Sequence, residues 1–156
     1  MSKEAADQAR DDAMLAEGWR PLEADGFIAH VGPLWRRSDG DRVSLGFHVE
    51  DKHLNRRGVV QGGMLATLAD RAMGLASRLS NDGMPQTTIQ LELHYLDAAQ
   101  LGEFVEARCR VSKRSRYVIF MGADVLADGR LVATARGIWK VMAVGSGAGR
   151  EKSLGD

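Results

Sequence analysis

The stretch from Met64 to Leu79 is the feature that most constrains this chain, because almost every side chain in it is apolar or small. A helix that is apolar nearly all round is expected to be buried on most sides, so we predict a long central helix around which the chain folds. Asp70 lies in the middle of this stretch, and no neighbour three or four residues away carries a charge. Because a buried, unpaired carboxylate is costly, Asp70 should meet a group outside the helix or line a wet cavity. The alternative is a solvated stripe with Thr67, Arg71 and Arg78.

The loop before this helix is rich in glycine, with Gly58, Gly62 and Gly63 close together. Glycine allows backbone conformations and close approaches that side chains block. The N–H groups at the start of a helix have no intrahelical partner and carry partial positive charge. Gly62 and Gly63 can therefore form an oxyanion hole, in which fixed donors stabilise the charge that develops on an attacked carbonyl. A tight strand-to-helix turn that binds nothing is the alternative.

The spacing of the two candidate groups predicts a shared site. Gly62 and Asp70 are eight residues apart, which is about 12 Å along a helix axis. An oxyanion donor and an attacking group must each lie within roughly 3 Å of one carbonyl, and side-chain reach does not close that gap. Two antiparallel copies of the helix can supply both groups, so we expect a twofold homodimer with sites at the subunit interface.

This part of the sequence resembles the hotdog-fold acyl-CoA thioesterases, specifically the phenylacetate-pathway-like branch of the 4-hydroxybenzoyl-CoA thioesterase superfamily. The resemblance spans roughly Phe27 to Met142 and rests on the motif Asn55-x-x-Gly58-x-x-Gln61-Gly62-Gly63, followed by Ala66-Thr67-Leu68-Ala69-Asp70. It implies a single hotdog domain, in which a long helix is wrapped by an antiparallel sheet. It also implies an acyl-CoA substrate, and a dimer that pairs into a dimer of dimers.

The resemblance implies a role for each matching residue. Asp70 is then the nucleophile or general base, and the N–H of Gly62 is the oxyanion donor from the facing subunit. Asn55 helps to shape the site from the partner subunit. A hydroxyl residue after the helix positions the water. Counting back from Tyr95, which matches a strand tyrosine of the family, this role falls on Thr88, with Thr87 as the near alternative.

One position departs from the family pattern, because Gln61 stands where the family usually has histidine. Glutamine donates and accepts hydrogen bonds but does not titrate near neutral pH. If the histidine orients the thioester or caps the helix, Gln61 can replace it; if it shuttles protons, activity here is lowered. We expect the first.

The remaining candidates are binding residues. The cluster Lys113-Arg114-x-Arg116 is predicted to hold the phosphates of coenzyme A, since arginine and lysine pair well with phosphate; a solvated hairpin tip is the alternative. Trp35 is a candidate for lining the acyl pocket or an ordinary core residue. Neither His48 nor His53 has a second ligand at metal spacing, so we expect no metal and no cofactor; His53 either shapes the site entrance or has no role.

Composition bounds the class of protein. The chain has 156 residues, of which 44% are hydrophobic and 27% charged, and no net charge. These values suit one globular domain and argue against a nucleic-acid or membrane-surface role. Cys109 is the single cysteine, which excludes an internal disulfide and suits the cytoplasm. We expect no signal peptide and no membrane span.

The rest of the chain completes an α+β layout. We predict a peripheral N-terminal helix in residues 1–20, docking through Met14, Leu15 and Trp19, then the hotdog domain in residues 21–143 and a disordered tail in residues 144–156. Strands are predicted in 26–37, broken at Gly32-Pro33, and in 43–49, 87–96, 104–113, 117–127 and 131–141. The predicted activity is hydrolysis of an acyl-CoA thioester. A non-catalytic acyl-CoA sensor is the alternative, and a hotdog hydratase, which needs a histidine at the helix start, is third.

Overall fold

The computed structural model describes residues 2–143 of the 156-residue chain. These residues form three α-helices, which are α1 (Lys3–Ala16), α2 (Gly26–Val31) and α3 (Gly62–Ser80). They also form seven strands, which are β1 (Arg20–Pro21), β2 (Trp35–Asp39), β3 (Arg42–His48), β4 (Gln86–Tyr95), β5 (Phe104–Arg114), β6 (Val118–Ala127) and β7 (Arg130–Val141). The tail predicted for residues 144–156 lies outside the described residues.

All seven strands belong to one antiparallel sheet with the order β1-β2-β3-β5-β6-β7-β4. α3 packs against one face of this sheet and contacts β3, β4, β5, β6 and β7. Its buried side includes Leu68, Ala69, Ala72 and Met73, which have no exposed surface. The predicted α+β hotdog architecture, with a long central helix wrapped by an antiparallel sheet, is therefore confirmed.

The N-terminal helix packs on the sheet through a small cluster of its own. Met14 of α1 is buried with Trp19 and Trp35, and Phe104 packs against them. Leu15 is 40% exposed, so the expectation that it docks the helix is wrong. The helix presents only part of its apolar surface to the sheet because Met14 and Leu15 are neighbours and project about 100° apart.

The strand predicted in 26–37 is wrong before the break at Gly32-Pro33, because Gly26–Val31 is the helix α2, and right after it, where β2 begins at Trp35. Ile28 and Val31, three residues apart, both pack against the core, while Phe27 is 64% exposed. This is helical spacing, and a short apolar run does not distinguish a helix from a strand by its pattern alone. The break at Gly32-Pro33 is present, with a cis peptide bond between the two residues.

The expected hairpin between β6 and β7 is confirmed. Asp128 and Gly129 form its two-residue turn, with φ angles of 45° and 82°. Positive φ at both central positions is the geometry of the turn that matches the twist of paired strands. Among the helices of residues 2–143, none is both long enough and apolar enough to cross a membrane.

β4 does not follow the predicted alternation. The alternation predicts one face that packs on the long helix, formed by Thr87, Ile89, Leu91, Leu93 and Tyr95. It places Thr88, Gln90, Glu92 and His94 on the opposite face. In the structure Leu91 and Leu93 pack against the core, whereas Ile89 and Tyr95 are 55% and 56% exposed. The prediction is therefore wrong for Ile89. Because β4 lies at the end of the strand order, its outer edge is not paired with another strand of the described residues.

A β-bulge explains the difference. The register with β7 shifts between Thr88 and Gln90, so that Ile89 has no partner of its own. An extra residue in one strand reverses the alternation of faces on either side of it. Thr88, predicted on the face opposite Leu91, is therefore on the same face, towards α3.

Candidate active site

Asp70 and Thr88 form the centre of the site. The Thr88 hydroxyl donates a hydrogen bond of 2.9 Å to Asp70 Oδ1. Asp70 is half-buried in the middle of α3. Among residues 2–143, no lysine or arginine forms an ion pair with it. A carboxylate with one hydroxyl partner and no cation keeps oxygen lone pairs free to accept a proton or to attack a carbon.

Arg71 follows Asp70 directly in the sequence and shares its half-buried environment. Burial lowers the pKa of the adjacent Arg71, and the charge of Arg78 lowers it further, while the charge of Asp70 raises it. Asp70 therefore influences Arg71 through space without a salt bridge to it. Thr67, Asp70, Arg71 and Arg78 are all half-buried, so this face of α3 is only partly open to solvent.

The start of α3 presents two free donors. Gln61 is the N-cap residue, and its side chain makes no capping hydrogen bond. Its carbonyl accepts hydrogen bonds from the N–H groups of Met64 (2.9 Å) and Leu65 (3.4 Å). The N–H groups of Gly62 and Gly63 have no acceptor within residues 2–143. They are thus the two donors that a ligand oxygen can reach.

Asp70 and these donors lie on one unbroken helix. The eight residues that separate Gly62 from Asp70 in α3 correspond to about 12 Å along the axis. β4 runs back along α3, so Thr88 lies beside Asp70 while Tyr95 lies beside Gly62. A single protomer therefore holds the two halves of the predicted site at opposite ends of the same surface.

Asn55 organises the loop that leads to the helix. Its side-chain oxygen accepts hydrogen bonds from the backbone N–H groups of Arg57 (2.8 Å) and Val59 (3.4 Å). Such side-chain bonds to nearby N–H groups stabilise a turn. Within one protomer, Asn55 thus shapes the loop; its predicted contribution to the partner's site stays a prediction.

His53 fixes the same loop from the protein interior. It is 3% exposed, its Nδ1 accepts the N–H of Glu50 at 2.9 Å, and its Nε2 donates to the carbonyl of Val31 at 2.7 Å. Its own carbonyl accepts the N–H of Gln61 at 2.8 Å. His53 therefore ties α2 to the N-cap of α3. Within residues 2–143, no group of three or more His, Cys, Asp or Glu side chains is arranged to hold a metal ion.

The basic cluster lies beside a cleft at one end of the sheet. A cleft of about 900 Å³ is lined in part by Arg114, Arg116 and Lys140, and Lys113 is exposed nearby at the end of β5. Arg114 donates a hydrogen bond to the carbonyl of Ser80, the last residue of α3. Thr87 pairs with Lys140 across β4 and β7, whereas Thr88 pairs with the buried Trp139, so Lys140 and Thr88 lie on opposite faces of the sheet.

Trp35 lies elsewhere. It is 4% exposed and belongs to the cluster that holds α1 on the sheet. This position matches the core interpretation of Trp35, and no contact brings it to Asp70 or Thr88 within the described part of the chain.

Two residues near the site were missed by sequence reasoning. Gln86 donates to the carbonyl of Gly74 at 2.6 Å and accepts from Ser77 at 2.7 Å, which fastens the start of β4 to α3. The hydroxyl of Tyr95 donates to the carbonyl of Gly62 at 3.0 Å. Tyr95 matches a family tyrosine, but nothing in the sequence alone indicates which group its hydroxyl contacts.

Comparison with known proteins decides the family. The family model of the thioesterase superfamily matches residues 57–134, half of the chain. A Pseudomonas aeruginosa protein assigned as an esterase is 32% identical over 128 residues, covering 80% of this chain and 96% of that protein. The chain belongs to the thioesterase superfamily.

Other members extend the likeness to structure. Human acyl-coenzyme A thioesterase 13 is 31% identical over 97 residues, which is 61% of this chain and 69% of that protein. A hypothetical thioesterase from Streptococcus pneumoniae, solved with coenzyme A, superposes with a TM-score of 0.65 at 26% identity, over 70% of this chain and 86% of that one. The family predicted from the loop and helix motif is confirmed, and this thioesterase-superfamily member is a thioester hydrolase. The roles of its individual residues stay predictions.

Proposed function

We propose that this protein hydrolyses an acyl-CoA thioester to the free acid and coenzyme A. The observation that carries the proposal is the hydrogen bond from Thr88 to Asp70, a carboxylate without a cationic partner among residues 2–143. The names of its relatives support the substrate class, since the human relative is an acyl-coenzyme A thioesterase and the S. pneumoniae protein was solved with coenzyme A. The single, unpaired cysteine suits a reducing compartment such as the cytoplasm.

The thioester carbonyl would accept hydrogen bonds at the start of α3, from the N–H of Gly62 and with Gly63 beside it. Asp70 of the facing subunit would act on the carbonyl carbon, with Thr88 holding the water. As a base, Asp70 takes a proton from water while the water oxygen bonds to carbon; the C–S bond then breaks and the thiolate takes up a proton. As a nucleophile, its oxygen displaces the thiolate to form an anhydride, which water then hydrolyses.

A single turnover in ¹⁸O-labelled water distinguishes the two routes. Nucleophilic attack leaves label in the carboxylate of Asp70 when water opens the anhydride at the aspartyl carbon. General-base catalysis puts the label only into the released acid.

The dimer is supported by the open edge of the sheet. β4 is unpaired on one side within the described chain, and Ile89, Tyr95 and Leu96 are each more than half exposed on or next to it. Unpaired edges and exposed apolar residues are features that a second copy covers. An antiparallel copy would bring the start of one α3 towards Asp70 of the other. The oxyanion donors and the carboxylate would then meet across the interface, although they are about 12 Å apart within one helix. A dimer of dimers is the further assembly that the family resemblance implies.

The cleft next to Lys140 is the proposed site for the phosphates of coenzyme A. Arg114 and Arg116 line it, and Lys113 is exposed nearby at the end of β5. Because phosphate contacts by exposed cations are screened by salt, the Michaelis constant for acyl-CoA should rise with ionic strength. Substitution of Arg114 and Arg116 by alanine should raise it too, with little change in kcat.

The test of the whole proposal is Asp70→Asn, with release of the coenzyme A thiol as the readout across a panel of acyl-CoA substrates. Asparagine keeps the shape of the side chain but neither accepts a proton at this pH nor attacks a carbonyl, so turnover should fall by at least about a thousandfold while the dimer stays folded. Asp41→Asn, in the exposed turn between β2 and β3, is the matched control and should be fully active.

Undiminished hydrolysis by Asp70→Asn would end the assignment of this carboxylate. Tight acyl-CoA binding by the wild-type protein with no thiol release would instead favour the non-catalytic acyl-CoA sensor. Gln61→His enters the same assay: if position 61 only orients the thioester or caps the helix, this substitution leaves kcat little changed, whereas a proton shuttle at that position would raise kcat.

A further inference from the structure

The first turn of α3 receives hydrogen bonds from two side-chain hydroxyl groups. Tyr95, on β4, donates to the carbonyl of Gly62 at 3.0 Å. Thr67, one turn further along the helix, donates to the carbonyl of Gly63 at 2.9 Å. Both bonds are made to carbonyls whose peptide units also carry an N–H near the proposed oxyanion site, so their effects can be compared directly.

The two bonded peptides differ in one respect. The Gly62 carbonyl belongs to the peptide whose N–H is that of Gly63, which has no acceptor within residues 2–143. The Gly63 carbonyl belongs to the peptide whose N–H is that of Met64, and this group already donates to the carbonyl of Gln61 at 2.9 Å. Only the Tyr95 bond therefore acts on a peptide with a donor available to a ligand.

A hydrogen bond to a carbonyl polarises the peptide and makes its N–H a stronger donor. The bond also fixes the plane of the peptide, which sets the direction in which that N–H points. Rigid, correctly aimed donors are what stabilise a developing oxyanion, because they need no reorganisation when the charge appears.

The ring of Tyr95 makes a second contact at the same place. A Cβ atom added at Gly62 would lie 3.2 Å from Tyr95 Cζ and 3.4 Å from its hydroxyl oxygen. The ring thus packs directly on the backbone of Gly62, and a methyl group there would require the ring to shift by a few tenths of an ångström. Tyr95 holds the helix start by packing on one side of this peptide and by a hydrogen bond to its carbonyl.

We propose that Tyr95 is a positioning residue for the oxyanion site: its hydroxyl aims and polarises the Gly62–Gly63 peptide, so that the N–H of Gly63 serves as a second donor beside that of Gly62. The inference rests on the proposed function, because the oxyanion is that of an attacked thioester. Tyr95 and both donors belong to one protomer, while the attacking Asp70 belongs to the other.

The experiment compares Tyr95→Phe with Thr67→Val, and both variants remove one hydroxyl and keep the shape of the side chain. Loss of a whole oxyanion donor costs about 100- to 1000-fold in kcat; Tyr95→Phe weakens a donor without removing it, so we expect a loss of roughly tenfold. The Michaelis constant should stay within about twofold of the wild-type value, because the hydrogen bond from the Gly63 N–H to the substrate oxygen strengthens in the transition state. Thr67→Val should leave kcat and the Michaelis constant within about twofold of the wild-type values. It releases the Gly63–Met64 peptide, whose N–H already donates to the carbonyl of Gln61.

Two acyl-CoA analogues give a readout that a purely structural role would not produce. A thioether analogue lacks the carbonyl oxygen. A trifluoromethyl ketone analogue adds water at its carbonyl carbon, and the former carbonyl oxygen of this tetrahedral hydrate occupies the position of the oxyanion. We expect Tyr95→Phe to weaken binding of the ketone by roughly tenfold and to leave binding of the thioether unchanged. Thermal unfolding of each variant shows that the fold is intact.

Three results would overturn the inference while the proposed function stands. One is a wild-type kcat in Tyr95→Phe, and another is an equal loss of kcat in Thr67→Val. The third is equal weakening of both analogues by Tyr95→Phe, which means that the hydroxyl supports ligand binding in general and not the oxyanion. A wild-type protein that releases no thiol from any acyl-CoA would overturn the proposed function, and this inference with it.

Discussion

Removal of the Thr88 hydroxyl tests the geometry at the centre of the site. Thr88→Val keeps the size and the β-branched shape of the side chain but removes the hydrogen bond of 2.9 Å to Asp70. Hydrogen bonds to charged groups contribute about 1.5–3 kcal/mol. Because Thr88 is exposed, water competes for both partners, and the contribution of this bond should lie at the lower end of that range.

A loss of about 1.5 kcal/mol in the transition state corresponds to roughly a tenfold fall in kcat. Thr88 is expected to hold the attacking water rather than the acyl-CoA, so the Michaelis constant should change by less than about twofold. The assay is steady-state thiol release at saturating and limiting acyl-CoA. Thr88→Ser, which keeps the hydroxyl, should recover most of the loss.

The chain supplies a matched control in the neighbouring residue. Thr87 is exposed and pairs with Lys140, whereas Thr88 pairs with the buried Trp139. Thr87→Val therefore makes the same chemical change one residue away without touching the Asp70 bond. An equal loss in both variants, or full activity in Thr88→Val, would refute the argument that this hydroxyl serves the carboxylate.

Three further predictions follow from other parts of the structure. Gly62→Pro removes the N–H donor at the first position of α3, where proline is compatible with a helix. Mixing Asp70→Asn chains with Gly62→Pro chains should restore about a quarter of wild-type activity, because half of the dimers then hold one unaltered site; no recovery after exchange of subunits would contradict shared sites. Burial raises the pKa of Cys109 to about 12, so its thiol should not react with alkylating or disulfide reagents at pH 8 until the protein unfolds, and the thiol assay should count only released coenzyme A. Burial, with a contribution from Arg10, lowers the pKa of His48 from its usual 6.5. The unfolded chain then binds more protons below that pH, so the contribution of His48 to the free energy of unfolding should be constant above about pH 6.5 and fall on acidification. His48→Gln should flatten that fall in urea titrations.

Local sequence was enough to predict the elements that carry strong periodic or turn signals. The apolar run from Met64 predicted α3, and the dipeptide Asp128-Gly129 predicted the β6–β7 hairpin; both depend on residues close together in the chain. Short apolar segments were not resolved in the same way. The residues of α2 suit a strand or a helix equally well by pattern, and only the contacts of Ile28 and Val31 with the core settle which forms.

The sequence by itself determined that one carboxylate would sit on an apolar helix behind a glycine-rich loop, because both signals are local and need no knowledge of the fold. Which hydroxyl meets that carboxylate was decided by the tertiary structure: the bulge at Ile89 turns Thr88 towards Asp70, and alternation alone places it on the opposite face. The contact of Tyr95 with Gly62 likewise joins residues far apart in the chain. Such contacts depend on the register of β4 along α3, which is set by packing across the whole sheet.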